Sequence, residues 1–350
     1  MTENPLGYEK ISKLLKNFAV PSIMASLVGS IYNIVDQIFI GQGVGYLGNA
    51  ATNVAYPFST ICLAIALLVG IGSASRVSLC LGRKEPKAAA KAAGNGIVLM
   101  GIFGIIYLLV GEAFLSLLLK AFGATTDVFP YAKQYASITL IGMPFLIVTN
   151  GMSNLIRADG KPKYSMVCMV VGAIINTILD PIFIFTFRWG MMGAAVATVI
   201  GQLVTAALAV WYLLHMKIIR PEKGDYRLKG SICSRTLTLG MTSFLSQISL
   251  VAAMAAINNM IRKYGALDAV FGQEQYAQIP MAVVGIVMKF FQIVISIVVG
   301  MAAGCIPVVG FNMGAKKPTR VKELFTKLLL AEATVGAVAL VLVELLPRQL

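Results

Sequence analysis

The sequence predicts an all-α integral membrane protein made of two related bundles of helices. Of its 350 residues, 58% are hydrophobic and 13% are charged, and the mean hydropathy is +0.81. Soluble domains carry about 25% charged residues, so the chain lies well outside that class. Apolar runs of about 20 residues, long enough to cross a bilayer as helices, recur from end to end. The short alternating segments typical of a membrane β-barrel are absent from the sequence.

Nine segments are predicted to cross the membrane as helices, because a helix satisfies its own backbone hydrogen bonds in lipid. They are residues 17–40, 54–79, 92–114, 132–156, 164–187, 191–214, 236–261, 283–311 and 324–346. A polar stretch separates the sixth segment from the seventh. We therefore expect an N-terminal six-helix lobe at 1–215, a cytoplasmic linker at 216–232 and a partial second lobe with three helices at 233–350.

The formal charge of +14 indicates topology and not a nucleic-acid partner. With the N-terminus placed in the cytoplasm, 22 of the 29 Lys and Arg residues fall in inward segments and six in outward ones, with Lys289 inside the eighth segment. This is the positive-inside distribution of membrane proteins. We predict a multi-pass protein of the plasma (inner) membrane with a cytoplasmic N-terminus and no nucleic-acid partner.

Catalytic and metal motifs are not supported by the sequence. The five cysteines are scattered, and His215 is the one histidine in the chain. The match to G-x-G-x-x-G at 43–48 follows a membrane helix and not a strand, so we interpret it as a loop. H-E-x-x-H, G-x-S-x-G and P-loop motifs are also absent from the sequence. We predict that the protein is not an enzyme and has no cofactor, apart from a sodium ion if sodium drives it.

The first segment carries a proline and an acidic residue inside its apolar run. Pro21 removes a backbone hydrogen bond and frees the carbonyl of Asn17, so it is either a static kink or a moving hinge. Asp36 lies fifteen residues further on. Placing an aspartate at this depth costs about 2.5–3.5 kcal/mol, which indicates a functional role.

The second and third segments are repeated in the eighth and ninth. One shift of 232 residues pairs Gly72 with Gly304, Gly82 with Gly314, Lys84 with Lys316, and Pro86 with Pro318. Because the shift contains six helices, the copies are parallel repeats. The first and seventh segments match more weakly, at a shift of 221. A complete second copy would add three helices, so we expect part of a twelve-helix protein, the alternative being a genuine nine-helix one.

The fourth segment carries two amides on one face. Asn150 and Asn154 are one helical turn apart and either bridge helices or contact substrate. Asp159, in the basic loop that follows, is expected to be solvated. Lys289 in the eighth segment either reaches the outer surface or projects into a central cavity.

The fifth segment holds a second deep carboxylate. Asn176 and Asp180 share a face of the helix, and Pro181 frees the carbonyl of Thr177. An amide, a carboxylate and a free carbonyl, all hard oxygen ligands, therefore lie within about one helical turn of each other. The sixth segment adds Thr198 and Gln202, although the Thr198 hydroxyl could instead bond back to its own helix. We predict that Asp36 and Asp180 together form a cation site. Two bare carboxylates in a low dielectric repel, so the pair would share a proton or hold a sodium ion.

These features together resemble the multidrug and toxic compound extrusion (MATE) transporters, in particular bacterial members of the DinF and MepA type. The resemblance rests on Pro21 with Asp36, on Asn176-x-x-x-Asp180-Pro181, and on the Gly-Arg-Lys-Glu-Pro turn with its Gly-Ala-Lys-Lys-Pro copy. It implies two lobes around a central cavity that opens alternately to each side of the membrane. It also implies export of organic cations or drugs by antiport with sodium ions or protons.

The resemblance also assigns roles to residues. The cation site, and the sodium ligands if sodium is used, would be Asp36, Asn176, Asp180 and Thr198. Pro21 would be the bend point of the first helix. Cavity or substrate positions would be Tyr32, Asn150 and Asn154, to which the residue pattern adds Gln202 and Lys289. We expect a monomer in the lipid bilayer.

Alternative functions are less well supported by the residues. A flippase for a lipid-linked oligosaccharide or a related amphiphile would share the architecture, but we would expect more deep basic residues than Lys289 alone. A channel would have a similar composition, but carboxylates in one half of the chain argue against a symmetric pore.

Overall fold

The computed structural model describes residues 4–216, 218–265, 267 and 279–345, which form nine long helices joined by short connections. The helices are α1 (Ile11–Gly43), α2 (Tyr46–Gly82), α3 (Pro86–Ala121), α4 (Phe129–Ala158), α5 (Pro162–Pro181), α6 (Gly190–Leu214), α7 (Gly230–Gly265), α8 (Ile279–Gly314) and α9 (Pro318–Leu345). Two 3-10 helices, Pro5–Gly7 and Lys223–Tyr226, and a π-helical turn, Ile182–Thr186, are also present. Each long helix contains a stretch long and apolar enough to span a membrane.

The predicted all-α membrane class is confirmed, and each predicted segment coincides with one helix. Several helices begin earlier than predicted: α3, α5 and α9 start at Pro86, Pro162 and Pro318. Proline suits the first helical position because an N–H there has no helical acceptor to bond. Hydropathy marks only the lipid-buried part of a helix, so the charged first turns fell outside the predicted spans.

Two helices organise the packing. α2 lies centrally and packs against α3, α4, α7 and α8, whereas α1 packs mainly against α5 and α8. α6 packs against α4 and α5. Buried alanines and glycines line α2, and such small residues let helices approach closely in lipid. The interior formed by α1, α4, α5 and α6 is the part of the fold that brings the predicted polar residues together.

The repeat is visible in reciprocal contacts between α2 and α8. A methyl group on Gly82 would collide with the Phe311 carbonyl, and one on Gly314 would collide with the Leu79 carbonyl. These two contacts exchange when every residue is moved by 232 positions. Gly310 contacts Ser78, its own counterpart at the same shift, so the local two-fold axis passes between them.

The turns that follow α2 and α8 repeat the same backbone. Lys84 and Lys316 both have positive φ, at 62° and 55°, and a helix beginning with proline follows each. Left-handed backbone is uncommon for a lysine, so its occurrence at equivalent positions supports the repeat independently of sequence identity.

The weaker match between the first and seventh segments has a different register from the predicted one. Gly240 of α7 lies against Leu68 of α2. At the shift of 232 residues Leu68 corresponds to Gly300, and Gly300 lies against Ser22 of α1. Ser22 therefore corresponds to Gly240, a shift of 218 and not 221. On this register Asp36 corresponds to Met254, so the second copy carries no carboxylate there.

Two buried polar side chains hold the connection between α6 and α7 in place. Asp159 was expected to be solvated, but it is 1% exposed and accepts hydrogen bonds from Tyr212 Oη (2.7 Å) and from the backbone N–H groups of Ile218 (3.0 Å) and Ile219 (2.8 Å). Charged groups are buried when such donors replace water. The expectation was wrong because the donors come from residues more than 50 positions away.

Asn95 of α3 fixes the second part of the same connection. Its Nδ2 donates to the carbonyls of Asp225 (2.9 Å) and Arg227 (3.1 Å), and its Oδ1 accepts from the N–H of Lys229 (2.8 Å). The side chain is 1% exposed. The linker is thus attached to the first six helices at two points. The division into 1–215, 216–232 and 233–350 stays a prediction.

Candidate cation site

Asp36 of α1 and Asp180 of α5 meet in the interior. Asp36 is 7% exposed and Asp180 is completely buried. Their carboxyl groups lie within hydrogen-bonding range of each other. Two ionised carboxylates at this range repel strongly in a low dielectric, so the arrangement requires a proton or a cation to be stable.

Asn176 connects Asp180 to α6. Its Nδ2 lies 3.3 Å from Asp180 Oδ1 and 3.4 Å from Thr198 Oγ1. With the amide turned over, the nitrogen donates to Asp180 Oδ2 (3.2 Å) and the oxygen accepts from the Thr198 N–H (3.2 Å). In both orientations the amide donates to the carboxylate, which places three of the predicted cation-site residues in one hydrogen-bonded chain.

Glycines allow α5 and α6 to approach closely at this level. A Cβ on Gly201 would lie 3.2 Å from Asn176 Cβ and 3.0 Å from the Gly172 carbonyl. Small residues at such crossings bring the backbones together in membrane proteins. This crossing is what carries the Asn176 amide to the Thr198 hydroxyl.

The end of α5 is irregular where the sequence predicts a freed carbonyl. α5 ends at Pro181 and continues as the π-helical turn Ile182–Thr186, in which the Phe187 N–H bonds to the Ile182 carbonyl at 2.9 Å. π-helical turns often occur at functional sites. Asp180 is therefore held directly beside a break in regular helical bonding.

Several acceptor oxygens at the site have no donor among the described residues. They include Asp36 Oδ1, Gln202 Oε1 and Thr149 Oγ1. Leaving a buried acceptor unsatisfied costs about 1–3 kcal/mol. A donor set of two carboxylates, an amide and hydroxyls suits a small hard cation, and a proton on either carboxyl would also relieve the cost.

A small pocket adjoins these groups, with about 50 Å³ of space for water-sized molecules. Among the described residues that line it are Tyr32, Leu146, Thr149, Met169, Asn176, Thr198, Gln202 and Thr205. Sites for drug-sized ligands enclose about 300–1,000 Å³. The pocket therefore has room for an ion with a few water molecules and not for an organic drug.

Tyr135 of α4 belongs to the site and was not predicted. Its hydroxyl interacts with Thr198 and is near enough to Tyr32, Asp36 and Asp180 to interact with them electrostatically. No signal in the sequence distinguishes Tyr135, because a tyrosine is ordinary in a membrane helix.

The other predicted positions lie elsewhere. Asn150 donates from Nδ2 to the Leu146 carbonyl of its own helix, and neither it nor Asn154 lines the pocket. Pro21 is buried inside a continuous α1. Lys289 lies within α8, but its side chain is outside the described residues.

Asn154 instead contacts a buried cation at the end of α4. Its Oδ1 accepts a hydrogen bond of 2.7 Å from Nη2 of Arg157, and Nη1 of Arg157 donates to Ser22 Oγ at 3.5 Å. Arg157 is 7% exposed, and its Nε has no acceptor among the described residues. The roles of Asn150 and Asn154 in a substrate cavity stay predictions.

The chain is similar to known transporters over most of its length. Two relatives, each a multidrug export protein MepA, come from Staphylococcus haemolyticus (25% identical, covering 95% of this chain and 71% of that protein) and Staphylococcus saprophyticus (26%, covering 100% and 76%). The fold also matches an outward-facing multidrug-resistance MATE transporter of the MOP superfamily (23% identical, TM-score 0.87, covering 99% and 74%). A MOP superfamily transporter from Pyrococcus furiosus matches equally well (23%, TM-score 0.87, covering 99% and 74%).

The family is shown by a further match. The model of the MatE family matches residues 21–182 and 254–350, which include Asp36, Asn176 and Asp180. MepA-like proteins of this family are transporters of the bacterial plasma membrane and not enzymes, so the chain is a multi-pass membrane protein of that class. We conclude that it belongs to the MatE family of multidrug export transporters.

Proposed function

We propose that the protein exports organic cations by antiport with sodium ions or protons, which bind at Asp36 and Asp180. The observation that carries this proposal is the contact between the two buried carboxyls, with Asp36 Oδ1 left without a donor in the described part of the chain. Deep carboxylates are costly and mark ion pathways in membrane proteins. The names of the MepA relatives support multidrug export.

The coupling ion would act by drawing three helices together. Asp36, Asp180 and Thr198 come from α1, α5 and α6, so an ion or proton that binds all three favours their close approach. The small pocket supports this view, because it leaves no room for an organic cation in the described conformation. Exchange then requires that ion and drug favour different conformations. A ligand with equal affinity for both conformations does not shift the equilibrium between them.

Pro21 is proposed as the bend point of α1. The helix runs unbroken through Pro21 in this conformation, and the missing hydrogen bond lowers the cost of bending there. Bending would change the position of Asp36 relative to α5. Solved MATE structures include one in a straight and one in a bent conformation, which supports this proposal.

The basic residues support an orientation with the N-terminus in the cytoplasm, by the positive-inside distribution. In this orientation the α2–α3 turn, the α4–α5 loop and the linker face inward. The pocket near Asp36 then lies on the outer side of Pro21, so release of a drug outward on ion binding is the expected direction.

A flippase is less well supported than an exporter. A site for a phosphorylated lipid head would need cationic side chains, and the described residues that line the pocket are polar or apolar with no Lys or Arg among them. The observation favours a site for a positive ion.

The direct experiment is export of ethidium from cells that express the protein. We expect Asp36→Asn and Asp180→Asn to abolish export, because each removes a charge from the coupling pair. Asp127→Asn removes an exposed carboxylate outside the helices and serves as the matched control. If both site variants export ethidium as fast as the parent, the proposed coupling site is wrong.

Sodium and protons can be separated with purified protein. If sodium is the coupling ion, NaCl raises the thermal midpoint more than an equal concentration of choline chloride, and Asp180→Asn removes the difference. If NaCl has no specific effect while a pH gradient alone drives uptake in inverted vesicles, the coupling ion is the proton.

A further inference from the structure

We propose that the α6–α7 linker carries a binding site for the phosphate headgroup of an anionic phospholipid such as phosphatidylglycerol. The site is separate from the pocket at Asp36 and does not rest on the proposed antiport. It is formed by basic side chains of the linker together with one from α3.

These side chains converge on one open groove of about 550 Å³. Its described lining residues are Lys91, Lys223, Gly224, Asp225, Arg227 and Lys229. Four cations therefore face one carboxylate. Arg and Lys are the side chains that bind phosphate, Arg with two parallel hydrogen bonds and Lys as a point charge.

The four cations are available for a ligand. In the part of the chain that the structure describes, the ion pairs are Lys13 with Glu9 and Lys327 with Glu323, so none of the groove cations is neutralised by a salt bridge there. The acidic residues of the linker are turned to its own backbone. Asp225 Oδ2 accepts from the Glu222 N–H at 3.0 Å, which completes a capping box.

The groove is held in shape from below by a buried residue. Asn95 bonds to the backbone at Asp225, Arg227 and Lys229, and it is 1% exposed. This fixes the backbone that carries two of the four cations and places it beside Lys91, one turn earlier on α3. A fixed set of cations binds an anion with less loss of side-chain and loop entropy than a mobile one.

The position of the groove favours a lipid over free phosphate. It lies where α3 and α7 begin, at the ends of two membrane-spanning helices. Leu228, between Arg227 and Lys229, is 45% exposed. An exposed apolar side chain between two cations suits the membrane surface, where the cations meet headgroups and the apolar group meets acyl chains.

The test measures lipid binding to purified protein in neutral detergent by native mass spectrometry. We expect phosphatidylglycerol to bind more tightly than phosphatidylcholine with the same acyl chains. In R227Q/K229Q the apparent Kd for phosphatidylglycerol should rise roughly 25-fold, about fivefold per basic side chain. The charge-conserving R227K/K229R should retain most of the affinity.

The matched control is K16Q/K322Q, which removes two exposed charges elsewhere and should leave the Kd unchanged. Leu228→Ser keeps all four cations. It should weaken the binding of phosphatidylglycerol without changing the binding of inorganic phosphate to the protein. The proposal is overturned if R227Q/K229Q binds phosphatidylglycerol as the parent does. It is also overturned if inorganic phosphate displaces the lipid at equal concentration, since the site would then recognise the free anion.

Discussion

Nη2 of Arg157 donates a 2.7 Å hydrogen bond to Oδ1 of Asn154, three residues earlier in α4. The guanidinium is 7% exposed, and the ion pairs of the described residues do not include it. Asn154 is therefore the main partner of a buried charge. The two residues should behave as a unit when they are substituted.

Asn154→Ala should lower the free energy of unfolding by about 2–3 kcal/mol, because it leaves the guanidinium without its short hydrogen bond. Arg157→Met should cost less, since an apolar side chain of similar length needs no partner. The double variant should then be more stable than Asn154→Ala alone. Unfolding in SDS measures all three, and strict additivity of the two single effects would contradict the coupling.

Gly82→Ala should destabilise the protein by about 1–3 kcal/mol, because the new methyl group meets the Phe311 carbonyl at the α2–α8 contact. Gly101→Ala, in the middle of α3 with no neighbouring atoms within 4 Å, should be neutral or stabilising by up to about 1 kcal/mol. The thermal midpoints of unfolding of the two variants measure this difference in stability. Equal midpoints would show that the contact between the repeats is loose.

Asp159→Ala should expose the linker to trypsin. The substitution removes the acceptor for Tyr212, Ile218 and Ile219, and charge-assisted hydrogen bonds contribute about 1.5–3 kcal/mol each. We expect cleavage after Lys223, which is exposed, to be at least about tenfold faster than in the parent. Asp127→Ala, an exposed acidic position, is the control, and equal cleavage rates in both variants would contradict the anchoring role of Asp159.

Tyr135→Phe should weaken transport while leaving the fold intact. It removes only the hydroxyl that reaches Thr198, so the expected effect is a rise of about tenfold in the concentration of coupling ion needed for half-maximal export, with an unchanged thermal midpoint. Tyr131→Phe, one turn earlier on α4 and exposed, should have no effect. An effect of equal size in both variants would place Tyr135 outside the site.

Much of the fold could be predicted from local sequence properties. Apolar runs located the helices because lipid imposes the same length and composition on every span. The repeat was also readable, since glycines at helix contacts and the turns after α2 and α8 tolerate little change. The register that relates α1 to α7 could not be predicted from the sequence. It depends on which backbones are in contact, as the contacts of Gly240 and Ser22 show.

The candidate site was predicted in part. Asp36, Asn176 and Asp180 were found because polar groups in an apolar helix are rare, and the structure brings them together. Tyr135 was missed because an aromatic residue in a membrane helix is ordinary by composition. Asp159 was misjudged since a carboxylate in a basic loop looks solvated until its distant donors are known.

The two attachments of the linker have a consequence for dividing the polypeptide. Asp159 and Asn95 both fasten the linker to helices that precede it, up to Lys229. A protein produced as two separate chains should therefore reassemble best when the break is made at Gly230. A break nearer Leu214 would leave the linker on the C-terminal chain, whereas the residues that hold it lie on the N-terminal chain.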